Sequence, residues 1–194
     1  MEKNKGGIKL LLIGGSAGSL DVLMQVMPAL PLLETIAIVI VLHRKSSDDS
    51  MLEALLTAKS KTPVRETEDK APIQPGSVYV APADYHLLFE TDGRLSLDDS
   101  EKVNYSRPSI DVSFESAAAA YGNKTTAILL SGANNDGTNG LTAIQGAGGI
   151  TAVQKPESAE MAFMPAHAIS HTTPDYLLDP AEMVDFIVNL DQLS

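Results

Sequence analysis

Short, continuously apolar runs alternate along the chain with stretches whose apolar residues recur at helical spacing. IKLLLIG (8–14) is bounded by glycine and has the pattern of a strand buried on both faces of a parallel sheet. SLDVLMQVMPAL (19–30) predicts a helix with Ser19 as N-cap, Asp21 in its first turn, and Pro28 and Pro31 near its end. IAIVIVLH (36–43) is a second strand rich in β-branched residues, and DDSMLEALLTA (48–58) is a capped helix.

The middle breaks this alternation. PGSVYVAP (75–82) predicts a short strand with prolines at its margins, and HLLFETDGRLSL (86–97) a hairpin around Asp92 and Gly93. Further on, SIDVSFESAAAAYG (109–122) predicts a helix, TTAILLSG (125–132) a buried strand, DGTNGLTAIQGAG (136–148) a glycine-spaced helix and GITAVQ (149–154) a strand. A final helix is signalled by Asp179 as cap, Pro180 at the first helical position and Glu182 three residues after the cap. Together these elements predict an α/β fold: a doubly wound, mostly parallel sheet with helices on both faces and an antiparallel hairpin at the edge, a Rossmann-like three-layer sandwich. The expected organisation is a short leader over residues 1–7 and a single domain over 8–194.

Composition narrows the chemistry. The formal charge of −11 argues against broad binding to nucleic acid or anionic lipid, where a basic face supplies most of the affinity. The chain has no cysteine, which excludes disulfides, thiolate metal sites and a cysteine nucleophile. Glycines and Asp21 interrupt the N-terminal apolar run before it reaches the length of a secretion signal or membrane span, so a cytoplasmic protein without membrane insertion is expected.

Functional groups in such sheets gather at the carboxyl ends of strands. Three polar residues stand there: Ser16 after the first strand, His43 after the second and Asp136 after TTAILLSGANN. A serine hydroxyl becomes a nucleophile when an imidazole takes its proton and a carboxylate steadies that imidazole, and these are the three residue types required. Residues 14–18 also satisfy GxSxG, in which small flanking residues let a sharp turn expose the serine. The chain order is Ser, His, Asp, whereas α/β-hydrolases with that elbow run Ser, acid, His, which argues against an ordinary lipase-like enzyme. Each position also suits a structural role: Ser16 a turn or cap, His43 a strand end, Asp136 the cap of the next helix. A glycine-rich turn at a helix start also attracts anions, although GGSAGS matches neither GxGxxG nor GxxxxGKS. His167 and His171 stand four apart, a spacing seen in metal sites, but without a cysteine or HExxH they read as a surface helix. His86, opening a hairpin strand, reads as structural, and Met24, Met27, Met161 and Met164 as core or rim packing.

Several segments in order, IGGSAGS, VLH, PGSVYVAPADYHL, RPSIDVSFESAA, LLSGANNDGTNGL, AGGITAVQ and FMPAHAI, make the chain resemble the catalytic domain of the chemotaxis protein-glutamate methylesterases, the CheB type. That resemblance runs from about residue 8 to the last helix. It implies hydrolysis of glutamate γ-methyl esters on the cytoplasmic helices of methyl-accepting chemoreceptors, with deamidation of receptor glutamines as a companion activity. It further implies Ser16 as nucleophile, His43 as general base and acid, and Asp136 as the orienting carboxylate, with no cofactor and no metal.

The chain departs from that pattern where the family usually has Thr after the serine, followed by two glycines: here stand Ala17, Gly18 and Ser19. It departs again where a methionine and glycine are usual and Ala133 and Asn134 stand. An oxyanion held by main-chain N–H groups near Ala17 and Ala133 would tolerate both changes, whereas a site that relies on the Thr or Met side chain would lose activity. The receiver domain that usually precedes the catalytic domain is expected to be absent. Arg44, Lys45 and Arg107 flank the expected site and are candidates for attracting a glutamate-rich receptor helix. Two other functions stand beside the esterase: a weakly active or inactive relative that binds a receptor or signalling partner, and an anion or nucleotide binder at the glycine-rich turn.

Overall fold

The computed structural model describes residues 8–45, 49–65 and 67–193. The expected leader over 1–7 and the start of the helix expected from 48 lie outside them. In chain order the elements are β1 (Lys9–Gly15), α1 (Ser19–Ala29), β2 (Ile36–Leu42), α2 (Asp49–Lys59), β3 (Val64–Arg65), β4 (Ser77–Val80), β5 (His86–Phe89), β6 (Leu95–Asp98), α3 (Ile110–Tyr121), β7 (Thr125–Leu129), α4 (Thr138–Gly146), β8 (Ile150–Gln154), α5 (Phe163–His171), β9 (Tyr176–Leu178) and α6 (Pro180–Gln192).

Seven strands form one sheet in the order β3-β4-β2-β1-β7-β8-β9, and every pairing in it is parallel. Successive residues of its central strands face opposite sides and are buried on both, which explains their continuous apolar runs. Leu10, Leu12 and Val39 join a core with Phe114 of α3, Leu141 of α4 and Met164 of α5. Leu11, Ile13 and Ile38 join a second core with Val22 of α1, Leu56 of α2 and Ile187 of α6. The chain leaves β1 toward β2 on one side and returns to β7 on the other, so the carboxyl ends of β1 and β7 flank a switch point, the usual place for a site in such folds.

The hairpin β5-β6 is antiparallel as expected, but it makes a separate two-stranded sheet instead of extending an edge of the larger one. Its apolar residues Leu87, Phe89 and Leu95 pack into the core beneath α3. Side chains of α3 fasten it there: Ser113 Oγ donates to the Leu87 carbonyl, and the Phe89 N–H donates to Ser116 Oγ at 2.8 Å. The cap of α6 is as expected, with Asp179 accepting the Glu182 N–H and Glu182 accepting the Asp179 N–H.

Candidate active site

Ser16 leaves β1 on a turn that is fixed from both sides. Its N–H donates to the Ser131 carbonyl at 2.9 Å and to Ser19 Oγ at 3.1 Å, and Ser19 Oγ donates to that same carbonyl at 2.8 Å. The expected N-cap is therefore corrected: Ser19 is the first residue of α1, its hydroxyl joins the ends of β1 and β7, and Gly18 occupies the cap with φ 83°. A β-carbon at Gly18 would also lie 2.7 Å from Ser131 Oγ, so glycine is required there by both backbone and space. Ser131 Oγ donates to the Ala17 carbonyl at 2.7 Å and completes the clamp.

The Ser16 carbonyl accepts the Ser19 N–H at 3.1 Å. Because C=O and N–H of a trans peptide point in opposite directions, the Ala17 N–H is turned away from the helix. Among the described residues, neither the Ala17 nor the Ala133 N–H has an acceptor, and both residues are exposed.

His43 follows β2, the strand beside β1, and its own N–H donates to the Gly15 carbonyl at 3.1 Å. It thus stands next to the serine turn, and Ser16, Ala17 and His43 line one cavity of about 350 Å³ with Leu20 and Met51 among its apolar walls. On the other side, His43 Nε2 lies 2.7 Å from Asp136 Oδ2. The structure therefore sets His43 between Asp136, to which it is bonded, and the cavity that it shares with Ser16.

Asp136 is fully buried and is not a helix cap; Gly137 takes that position before α4. Its Oδ2 also accepts the Ile110 N–H at 2.7 Å, while Oδ1 accepts from Asn104 Nδ2, Ser109 Oγ and the N–H groups of Asp111 and Gly137. Ile110 and Asp111 open α3, so the carboxylate sits on a helix N-terminus, where backbone donors and the helix dipole favour negative charge. Burial acts to raise the Asp136 carboxyl, but the bonds from His43, the Asp111 N–H, Asn104 and the Ile110 N–H hold it below its ordinary value.

A second buried carboxylate stands behind it. Asp111 accepts the N–H groups of Gly137 and Gly140 and one N–H of Asn104, whose Nδ2 thus joins both acids at 2.8 Å each. Burial, reinforced by the charge of Asp136, raises Asp111 to about 6, so it is still ionised at neutral pH, as its three donors require. The sequence carries no motif that marks Asn104, Ser109 and Asp111 as site residues. Ser109 is the N-cap of α3, accepting the Val112 N–H, and the helix-start pattern was legible. No local signal shows that the same residues reach across to a carboxylate beyond β7.

Arg44, Lys45 and Arg107 line a second cavity of about 450 Å³ that shares His43. Arg107 Nη1 donates to the carbonyls of Asp99 and Ser100 at 2.7 Å each, bracing that loop. His86 is structural as expected: Nδ1 accepts the Ser109 N–H and Nε2 donates to the Glu101 carbonyl. His167 and His171 lie on α5 with their rings stacked 4.0 Å apart, and no group of three or more metal-ligating side chains occurs among the described residues.

A family model described as CheB methylesterase matches residues 11–187. The chain belongs to the CheB methylesterase family. A Leptospira interrogans protein provisionally named a protein-glutamate methylesterase/protein-glutamine glutaminase is 42% identical over 182 residues, 94% of each chain. The Thermotoga maritima protein-glutamate methylesterase/protein-glutamine glutaminase is 33% identical over 94% of this chain and 54% of its own length. The crystal structure of the Thermotoga maritima CheB methylesterase catalytic domain superposes with a TM-score of 0.90 at 32% identity, covering 97% of this chain and all of that one. This CheB fold accounts for the separate hairpin as well as the parallel sheet.

Proposed function

We propose that this CheB methylesterase hydrolyses glutamate γ-methyl esters on the cytoplasmic helices of chemoreceptors through a Ser16-His43-Asp136 triad. Its relatives are named for the methylesterase reaction and for the release of ammonia from protein glutamine. Both are attack on a side-chain acyl carbon, so one serine site serves both. The observation that carries the reading is the 2.7 Å bond between His43 and Asp136, on a histidine that shares a cavity with Ser16.

With Nε2 held by Asp136, Nδ1 is the His43 nitrogen left to take the Ser16 proton. Ser16 Oγ attacks the ester carbonyl, and the carbonyl oxygen becomes an oxyanion facing the N–H groups of Ala17 and Ala133. The intermediate collapses as His43 returns the proton to departing methoxide, giving methanol and an acyl-enzyme. His43 then takes a proton from water as its oxygen attacks the acyl carbon, and on collapse His43 gives that proton to the departing Ser16 oxygen, leaving glutamate and free Ser16. The oxyanion donors are main-chain groups, so alanine serves at both positions as well as a larger side chain. Every transfer runs through His43, and the route calls on no cofactor. Among the described residues no helix is long and apolar enough to cross a membrane, which fits an enzyme that meets these receptor helices in the cytoplasm.

Anion cradling by the glycine-rich turn is disfavoured, because the N–H groups of Ser16 and Ser19 are already bonded within the turn and to Ser131. Methanol release from methylated receptor tests the proposal. Ser16→Ala, His43→Ala and Asp136→Ala are each expected to lose about 10³-fold or more. Equal rates for wild type and Ser16→Ala would end it.

A further inference from the structure

The rim of the site holds features that hydrolysis does not use. Residues 103–106 form a tight turn in which the Val103 and Ser106 backbones exchange two hydrogen bonds. Its central residues, Asn104 and Tyr105, have φ 52° and 62°. Successive left-handed residues are disfavoured outside glycine and persist where the surroundings fix them. Asn104 explains how: its amide points inward to Asp136 and Asp111. Tyr105 is consequently thrown outward and is 99% exposed. A tyrosine ring held in water beside a reactive centre has a large apolar face with nothing on it, and such rings are frequent anchors at interfaces.

Tyr105 lines the cavity of about 450 Å³ that reaches His43. Lys45 and Lys102 line it too, and neither forms an ion pair among the described residues. In a chain of formal charge −11, the charged side chains that line this cavity among the described residues are Arg44, Lys45, Lys102 and Arg107 against Asp84. The cleft therefore attracts carboxylates on a protein that otherwise repels them.

We infer that the 103–106 turn is the lip on which the substrate helix rests. Tyr105 packs against the aliphatic stem of the esterified side chain and its neighbours, while Lys45 and Lys102 pair with carboxylates three or four residues away on the same helix face. Such a helix carries hydrolysed glutamates beside its remaining esters, so an acidic, amphipathic helix is the partner that this combination fits. The inference rests on the esterase reading of Ser16.

The test is KM and kcat for methanol release from methylated receptor, with Ser16→Ala as the control that establishes the reaction. Tyr105→Ala is expected to raise KM about tenfold with kcat within about twofold, and Tyr105→Phe to keep the wild-type KM, because the ring makes the contact. Lys102→Glu is expected to raise KM several-fold at low salt and much less near 1 M, where charges are screened within about 3 Å. If Ser16→Ala is inactive but Tyr105→Ala leaves KM unchanged, or loses kcat alone, the lip is overturned while the esterase stands. If Ser16→Ala matches wild type, the esterase reading itself has failed.

Discussion

The floor of the site and its rim are built on opposite principles. On the floor, Asp136 is inaccessible to water and accepts six hydrogen bonds, from His43, Ile110, Asn104, Ser109, Asp111 and Gly137. In that low-dielectric setting each bond is strong and a missing one leaves a polar group stranded, so single changes have large effects. At the rim, Tyr105 is 99% exposed and Lys45 and Lys102 stand in solvent, where each contact contributes little alone. On the proposed reading, the floor acts on the transition state and the rim gathers substrate. Variants of the two should separate into kcat and KM effects.

The largest expected effect comes from Asp136→Asn. In the Oδ1 position an amide NH₂ opposes four donors; in the Oδ2 position it opposes the Ile110 N–H and selects the His43 tautomer with Nε2 bare and Nδ1 protonated, which cannot take the Ser16 proton, and in either rotamer the imidazolium loses its counter-charge. kcat for methanol release is expected to fall about 10³-fold or more with little change in KM, the reverse of the rim variants. A loss under tenfold in steady-state kinetics would erase the distinction between floor and rim.

Asn104 is the joint between the two regions, and its truncation comes next in size. Asn104→Ala removes the amide that bridges Asp136 and Asp111, and kcat is expected to fall roughly ten- to a hundredfold. Asn104 is one of the donors that keep the Asp136 carboxyl low, so its loss should also raise that carboxyl, as read from its carboxyl-carbon NMR shift across a pH titration. A merely structural role would lower thermal stability and leave that titration in place.

How much of this was legible follows from how local each cause is. Buried strands at 8–14, 36–43 and 125–132 announce themselves because double-sided burial demands unbroken apolar runs, and the cap at Asp179 is a signal within one turn. The triad positions were readable as strand ends. β3 and β9, two and three residues long, exist because a neighbouring strand offers them pairing, and no short pattern specifies that. The hairpin was visible, but its seat beneath α3 depends on Ser113 and Ser116, more than twenty residues downstream. Asn104 and Asp111 were invisible as site residues for the same reason: their roles are set by where α3 and α4 converge. Arg107 showed its charge in the sequence, but not that its guanidinium would brace two carbonyls.

The last expected effect is on stability rather than rate, and it distinguishes the two buried acids. Asp111 is raised by burial from 3.8 to about 6 on folding, so the native state takes up a proton across that interval. Its stabilising contribution is complete below pH 3.8, declines as pH rises, and is gone above about pH 6, where the fold must hold the charge. Two units correspond to at most about 3 kcal/mol, or several degrees of Tm for a chain of this length. The Asp136 shift has the opposite sign: its contribution is present above its unfolded value and is lost as pH falls through the lowered one, so it acts below this interval. Asp111→Asn keeps an oxygen for the Gly137 and Gly140 N–H groups and removes the titration, although it sets an NH₂ against Asn104. Its Tm is expected to be flatter than wild type between about pH 4 and 6, as read by circular dichroism melts at matched ionic strength. The difference between the two curves isolates Asp111 from the exposed carboxylates that titrate in both proteins. Parallel curves would mean that the charge of Asp111 is already accommodated by its donors, which would make the floor still less tolerant of losing Asn104 than of losing either acid's proton.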